Sequence, residues 1–447
     1  MCSRIYLLFR SKSFFLDEIR QFRGLLVDTE PKSISRILRH SQLNLHFRKS
    51  NIIFGRAGCG SNWAFGYFGR SEISNVAEES LNAIRRESER LDRCLGLCLV
   101  HGLAGGTGSG MGLRLVEDSA DELGLGLRLT FSVMPHRFGD APLQAYNCLL
   151  SLARLTQLSD TVVLLHNDWL LSQLQPTTRT VSHDLPPTTM RNHDDNCVNI
   201  EQMNQLAATQ MTSLLTPSTA SPDGDQLNIQ PLAISHSLTA LPEAKLIRLV
   251  SESSRQLPAN TEQGHRIYNR TTDSDWDRLH FAIPTKLRQC PIDATWNLER
   301  PGRGTGCRPL GTLAAVLIYR GRLTNNSPHV SAADTSGLYG SPSGTRVDNV
   351  DAIKSLYDYM RPVKWHDDPF KQWYDITPNS RHKSITLAFN SCCITEDLNC
   401  LIWRAQTRRK AGAFLHWYRK FGCTEDTFDA AFEQMVHVVK DYQDLQR

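Results

Sequence analysis

From residue 94 to 100 the chain reads Cys-Leu-Gly-Leu-Cys-Leu-Val, an apolar run of strand length. From 111 to 123 the apolar residues recur at helical spacing, with Glu117, Asp118 and Asp121 on the solvated side. The same alternation runs through the first half. Strands are predicted at 24–28, 94–100, 127–134 and 161–165, and helices at 75–91, 111–123, 142–155 and 169–174. Strand and helix in turn predict an α/β protein with a doubly wound, mostly parallel sheet, which binds ligands beyond the C-terminal ends of its strands. Residues 199–215 place Met203, Leu206, Ala207, Met211 and Leu214 at helical spacing, as a core helix does. Strands at 245–250, 312–320 and 384–389 predict a second α/β domain ending near residue 390, with helical chain after it. The polar stretches 175–197 and 216–226 read as breaks, and 325–349, rich in Ser, Gly and Pro, as a mobile loop.

Between the strand at 94–100 and the helix at 111–123 lie Ala104, Gly105, Gly106, Thr107, Gly108, Ser109 and Gly110. Closely spaced glycines let backbone approach an anion, and the free N–H groups of the next helix face it with the positive end of the helix dipole. Thr107 and Ser109 add hydroxyls. The string has no lysine after its last glycine, as a P-loop would, and lacks the spacing of a dinucleotide fingerprint. On its own it reads equally as a phosphate loop or as a tight turn.

Charge and cysteine content narrow the classes. A net charge of +4, from 50 basic and 46 acidic residues, implies neither nucleic acid nor an acidic membrane surface as partner. The chain is long enough for two or three domains with a sizeable core. Twelve cysteines include no zinc-like pairs, so reduced thiols are expected. Ile5-Tyr-Leu-Leu-Phe9 is too short for a signal segment, and no run approaches the roughly 20 apolar residues of a membrane span.

As a string, Gly105 to Gly110 resembles the tubulin signature, and other segments agree in order. Leu25-Leu-Val-Asp-Thr-Glu-Pro31 resembles the tubulin Val-Asp-Leu-Glu-Pro strand end, and Gly60-Ser-Asn-Trp-Ala-Phe-Gly-Tyr67 its Gly-Asn-Asn-Trp-Ala-x-Gly loop. Tyr146-Asn147, Leu158-Ser-Asp160, Asn167-Asp168, Leu317-Ile-Tyr-Arg-Gly321 and Phe414-Leu-His-Trp-Tyr418 follow. Within the family the delta-tubulin branch is the most similar. It is marked by Phe22-Arg-Gly-Leu-Leu-Val-Asp28, the run from Leu155 to Asn167, Lys420-Phe-Gly422, and an end at Arg447 without an acidic tail. The resemblance implies a GTPase domain over 1–197, a central helix at 198–216, an intermediate α/β domain over 217–390 and a C-terminal helical hairpin over 391–447. It further implies a cytoskeletal, GTP-binding protein of centrioles, basal bodies and cilia that acts in microtubule organisation. Its partners would be other tubulins or centriolar proteins, with no nucleic acid and no membrane.

The resemblance also assigns residues, each with a plainer alternative. Residues 104–110 would hold the phosphates. Asp28 and Glu30 would face magnesium and its waters, since a hard cation takes carboxylate oxygen; Asp28 reads otherwise as a helix cap. Gly60, Ser61 and Asn62 would contact the terminal phosphate, with Trp63 a packing residue. Asn167 and Asn204 match the two asparagines that read guanine, where an amide offers a paired donor and acceptor; both read otherwise as surface or capping residues. Gln144 stands where a ribose-binding glutamate is usual. Ile200 replaces an aromatic that stacks on the base, and losing that ring costs ~1 kcal/mol.

Two departures stand out. Tubulins begin with a central strand followed by a Gly-Gln-Cys-Gly-Asn-Gln loop that wraps the phosphates. Here 26 residues precede Val27 and no such loop is found, which implies a truncated start and a missing middle strand whose neighbours would be left unpaired. In tubulin polymers, acidic residues of the subunit above help activate water on the nucleotide below. Gln230 and Ala233 occupy those positions, so little GTPase stimulation is expected. A nucleotide-free adaptor and a polymerising GTPase like alpha- or beta-tubulin are the competing readings.

Overall fold

A computed structural model describes residues 5–9, 22–39, 46–69, 72–91, 94, 96–124, 126–136, 141–174, 198–216, 231–254, 275–288, 311–321, 347–375 and 383–446. In chain order the first part holds β1 (Ile5–Phe9), β2 (Gly24–Asp28), α1 (Pro31–Leu38), β3 (Ile52–Phe54), α2 (Trp63–Phe68), α3 (Glu72–Glu89) and β4 (Gly96–Gly102). A π-helical turn, Thr107–Met111, then leads into α4 (Gly112–Leu123), followed by β5 (Leu127–Met134), α5 (Gln144–Leu158), β6 (Thr161–His166) and α6 (Asn167–Leu174). The second part holds α7 (Ile200–Leu215), α8 (Pro231–Leu238), β7 (Leu246–Ser253), α9 (Asp275–Arg288) and β8 (Thr312–Arg320). It continues with α10 (Val347–Met360), β9 (Phe370–Asp375), β10 (Ser384–Ser391), α11 (Ile394–Lys410), α12 (Leu415–Lys420) and α13 (Glu425–Leu445).

All ten strands join one sheet in the order β3-β2-β1-β4-β5-β6-β7-β10-β8-β9. β4, β5 and β6 run parallel, as do β2 and β3. The first and second halves meet where β6 pairs with β7 through Val162 opposite Leu246 and Val163 opposite Ile247. Every residue of β2 is buried and β4 is buried nearly throughout, as strands covered on both faces must be. α3 and α4 pack over β2 to β4, and α7 and α8 share a core with β5, β6 and β7. α5 is buried almost all round because α11 and α13 close over it.

The middle strand expected to be missing is filled. β1 sits between β2 and β4 and runs antiparallel to both, with Ile5 opposite Val27 and Tyr6 opposite Val100. The apolar run that is too short for a signal segment is long enough to seal the two strand edges. Among the other expectations, 175–197 and 217–226 lie outside the described residues. So does 325–346, and Val347 already begins α10. β9 and α10 fall where no element was expected, and the helix predicted from 75 starts at Glu72.

The eight described cysteines are free thiols. Burial pushes the Cys98 and Cys392 thiols up to about 12, so they pack as small apolar side chains. No metal-binding group of three ligands occurs among the described residues, and no described helix is long and apolar enough to cross a membrane.

Candidate functional site

Three connections meet at the C-terminal ends of β2, β3 and β4. β2 ends in Asp28 and is followed by Thr29, both buried, and then by Glu30, exposed at the start of α1. The loop after β3 is tied back to this turn: the Gly55 N–H donates to Asp28 O at 3.0 Å and the Gly58 N–H to Thr29 O at 3.1 Å. Gly58 takes φ +67°, and a Cβ there would lie 2.5 Å from Glu30 Oε1, so only glycine lets this loop close on the glutamate. The glycine loop completes the group. Thr107 Oγ1 lies 2.6 Å from Thr29 Oγ1, and Ser109 Oγ donates to Gly105 O. The two hydroxyls expected to serve an anion are thus engaged within the protein.

The glycines answer to packing as well. A Cβ on Gly106 would meet Cys59 Cβ at 2.6 Å and Asn62 O at 2.7 Å, and one on Gly108 would meet Gly102 O at 2.6 Å. Gly110 lies against Trp63, where a Cβ would come within 2.2 Å of its carbonyl oxygen. Glycine is therefore required to seat the turn between β4 and α2, while the turn still opens a helix at the end of a parallel strand.

Asn62 is the N-cap of α2: its side chain accepts from the Ala64 N–H at 2.8 Å, and its Nδ2 donates to Trp417 O at 3.2 Å. Ser61 adopts φ +53° and is exposed, as is Gly60. Trp63 is buried and stacks on Tyr67 with ring centroids 4.6 Å apart.

Burial holds the Asp28 carboxyl above its ordinary range, only partly offset by the Glu30 N–H and the Ser33 hydroxyl. A carboxylate buried beside a second, exposed one is a donor set that suits a hard divalent cation, which supplies the missing counter-charge. Asp28 and Glu30 would hold magnesium in that sense. The Cys59 thiol, buried against Thr29 and Thr107, is pushed up to about 11 and stays neutral.

The residues expected to face the base and ribose lie at the same end of β5 and β6, apart from Asn204 on α7. Gln144 is buried at the start of α5, where its Nε2 donates to His136 O at 3.2 Å. His136 Nε2 lies 2.8 Å from Asp168 Oδ1, and His166 Nδ1 accepts from the Asp168 N–H at 3.1 Å. A small cavity beside them is lined by His136, Gln144, His166, Cys400 and Arg404 among others. Asn167 opens α6, and its Oδ1 is shut off from solvent without a hydrogen-bond partner. A buried acceptor left unpaired costs on the order of 1–3 kcal/mol, which a ligand N–H would relieve. Asn204 is exposed on α7, four residues after Ile200, whose side chain is 61% exposed at the start of that helix.

Sequence reasoning gave no role to two positions, although one of them, Asn147, lies in a segment that carries the resemblance. Asn147, wholly buried in α5, receives the Trp63 N–H at 3.0 Å and the Tyr418 hydroxyl at 2.6 Å on Oδ1. Its Nδ2 donates to Ser61 O and Ala104 O, each at 2.7 Å. One side chain therefore ties the loop before α2 and the glycine turn to α12. The available signal was an amide inside a run of apolar helix. His101, at the end of β4, has Nδ1 2.7 Å from Gly108 O and Nε2 2.8 Å from Ser132 Oγ. A carbonyl only accepts, so Nδ1 carries the proton and Nε2 accepts from Ser132.

Residues 3–175 match the family model of the GTPase domain of the Tubulin/FtsZ family. The chain is 26% identical to the tubulin delta chain of Mus musculus, over 95% of this chain and 86% of that one. It is 25% identical to the tubulin delta chain of Homo sapiens, with the same coverage. The nucleomorph tubulin beta chain of Guillardia theta is also 25% identical, over 95% of this chain and 83% of that one. Residues 3–175 are thus similar to the GTPase domain of the Tubulin/FtsZ family, and nearly the whole chain is similar to tubulin delta chains.

Proposed function

We propose that this protein is a GTP-binding cytoskeletal subunit of the delta-tubulin kind, associated with centrioles, basal bodies and cilia and acting there with other tubulins. Its role is structural, with at most weak GTP hydrolysis. The observation that carries the nucleotide reading is the buried, unpaired Asn167 Oδ1 at the end of β6, on the same sheet end as the glycine turn and Asp28. A purine that presents ring and amino N–H groups on one edge satisfies that acceptor, and guanine does so. Asp28 and Glu30 would hold the magnesium that accompanies the phosphates, Gly60, Ser61 and Asn62 the terminal phosphate region, and Gln144 the ribose.

The test uses Asn167→Ala, because Asn167 Oδ1 makes no protein hydrogen bond and its removal leaves the fold intact. Fluorescent GTP with magnesium is expected to bind the full chain saturably, with roughly tenfold weaker binding by Asn167→Ala and an unchanged melting temperature. Folded wild-type protein that binds no GTP, or binds ATP equally well, would sink the reading. Gly106→Asp is unsuitable as a control, since any Cβ at 106 collides with Cys59 and Asn62.

A nucleotide-free adaptor is the second reading. The exposed Ile200 in place of a stacking ring and the direct contact of Thr107 with Thr29 favour it. For the cellular role, the tagged full chain is expected to concentrate at centrioles and basal bodies, and uniform cytoplasmic signal through the cell cycle would overturn that placement.

A further inference from the structure

β1 runs antiparallel to both strands beside it. β1 enters the sheet where β2 and β4 finish, because it is antiparallel to both. A parallel strand in its seat would deliver a connection, with its backbone N–H groups, to the ligand end of the sheet. Here the chain leaves β1 at the opposite end, and the loops after β2, β3 and β4 lie at this one.

The loop after β3 carries Arg56. Its backbone is fixed on both sides, since Gly55 is bonded to Asp28 and Gly58 to Thr29. Arg56 therefore stands beside Asp28 and Thr29, the second of which touches Thr107 of the glycine turn. Its side chain is exposed and makes no hydrogen bond, ion pair or ring contact, although Glu30 packs against Gly58 two residues away. Glu30 is likewise exposed and is not paired with it. Pinned backbone, a long reach and an uncommitted guanidinium suit the fork geometry with which arginine takes phosphate oxygens.

We propose that Arg56 binds the terminal phosphate of a nucleoside triphosphate, favouring triphosphate over diphosphate. The inference rests on the nucleotide reading above. A charge-assisted bond made only to the terminal phosphate strengthens triphosphate binding and leaves diphosphate binding almost unchanged.

Titration of the full-length chain with fluorescent GTP and fluorescent GDP, both with magnesium, tests this. Arg56→Gln is expected to weaken GTP about tenfold and GDP less than twofold. Arg56→Lys should recover part of the loss, since an ammonium keeps the charge without the fork. Arg36→Gln removes the same charge from the exposed side of α1 and should change neither affinity. Equal losses for GTP and GDP, or none, would overturn the role of Arg56 while nucleotide binding stands. Binding of neither nucleotide by folded wild-type chain would overturn both readings together. Arg56 is exposed and unbonded, so Arg56→Gln should fold as the wild type does, which an unchanged melting temperature verifies.

Discussion

Replacing Asn147 by leucine is expected to destabilise the protein by about 4 kcal/mol or more and to abolish GTP binding in whatever fraction stays folded. The amide is fully buried and makes four hydrogen bonds: it accepts from the Trp63 N–H and the Tyr418 hydroxyl and donates to Ser61 O and Ala104 O. A leucine of similar size fills the volume but orphans all four partners, each at roughly 1–3 kcal/mol before relaxation. Asn147→Asp should be no milder, because it keeps the acceptor but sets a carboxylate oxygen against two carbonyls. Denaturant midpoints of wild type and variant measure the effect. A loss below about 1 kcal/mol would mean that the loops and the hairpin are held by packing alone.

Acid is expected to unfold the protein well above the carboxylate range, and His101 and His280 are the cause. Burial lowers both to about 4, from an ordinary value of 6.5, with His101 partly supported by its bond to Gly108. Between pH 6.5 and 4 the unfolded chain takes up protons that the folded chain refuses, so stability falls as pH falls. Each histidine's contribution is complete above pH 6.5 and gone near pH 4, roughly 3 kcal/mol apiece. Asp28 acts in the opposite sense, because its carboxyl is raised by burial and protonation favours the folded form at the acid end. Denaturant unfolding at pH 7, 5.5 and 4.5 shows the slope. His280→Leu should flatten it by one proton, since His280 Nε2 has no hydrogen-bond partner to lose. An identical slope in that variant would assign the acid sensitivity elsewhere.

Much of the fold was legible because its strands are covered on both faces. Central strands such as 94–100 and 161–165 then appear as unbroken apolar runs, and the helices between them show clean periodicity. The glycine turn was legible because only glycine fits the approach of Gly108 to Gly102. β1 was misjudged for a physical reason: five apolar residues are compatible with a strand in any seat and either direction. Direction is set by which neighbours offer free edges, and those belong to β2 and β4. The roles given to Thr107, Ser109 and Asn62 by their type were partly taken by nearer partners, since a hydroxyl or amide bonds first to what the fold brings within 3 Å.

Local residue chemistry alone dictated the alternation of strand and helix, the glycine turn after β4 and the carboxylates that end β2, because each depends on neighbours a few positions away. Tertiary structure decided the antiparallel insertion of β1, the joining of both halves into one sheet, and the convergence of Asn147, His101 and Asn167 on one end of it. Those outcomes depend on hydrogen bonds between residues far apart in the chain, such as Tyr418 with Asn147, and no local pattern encodes the partner of a buried amide.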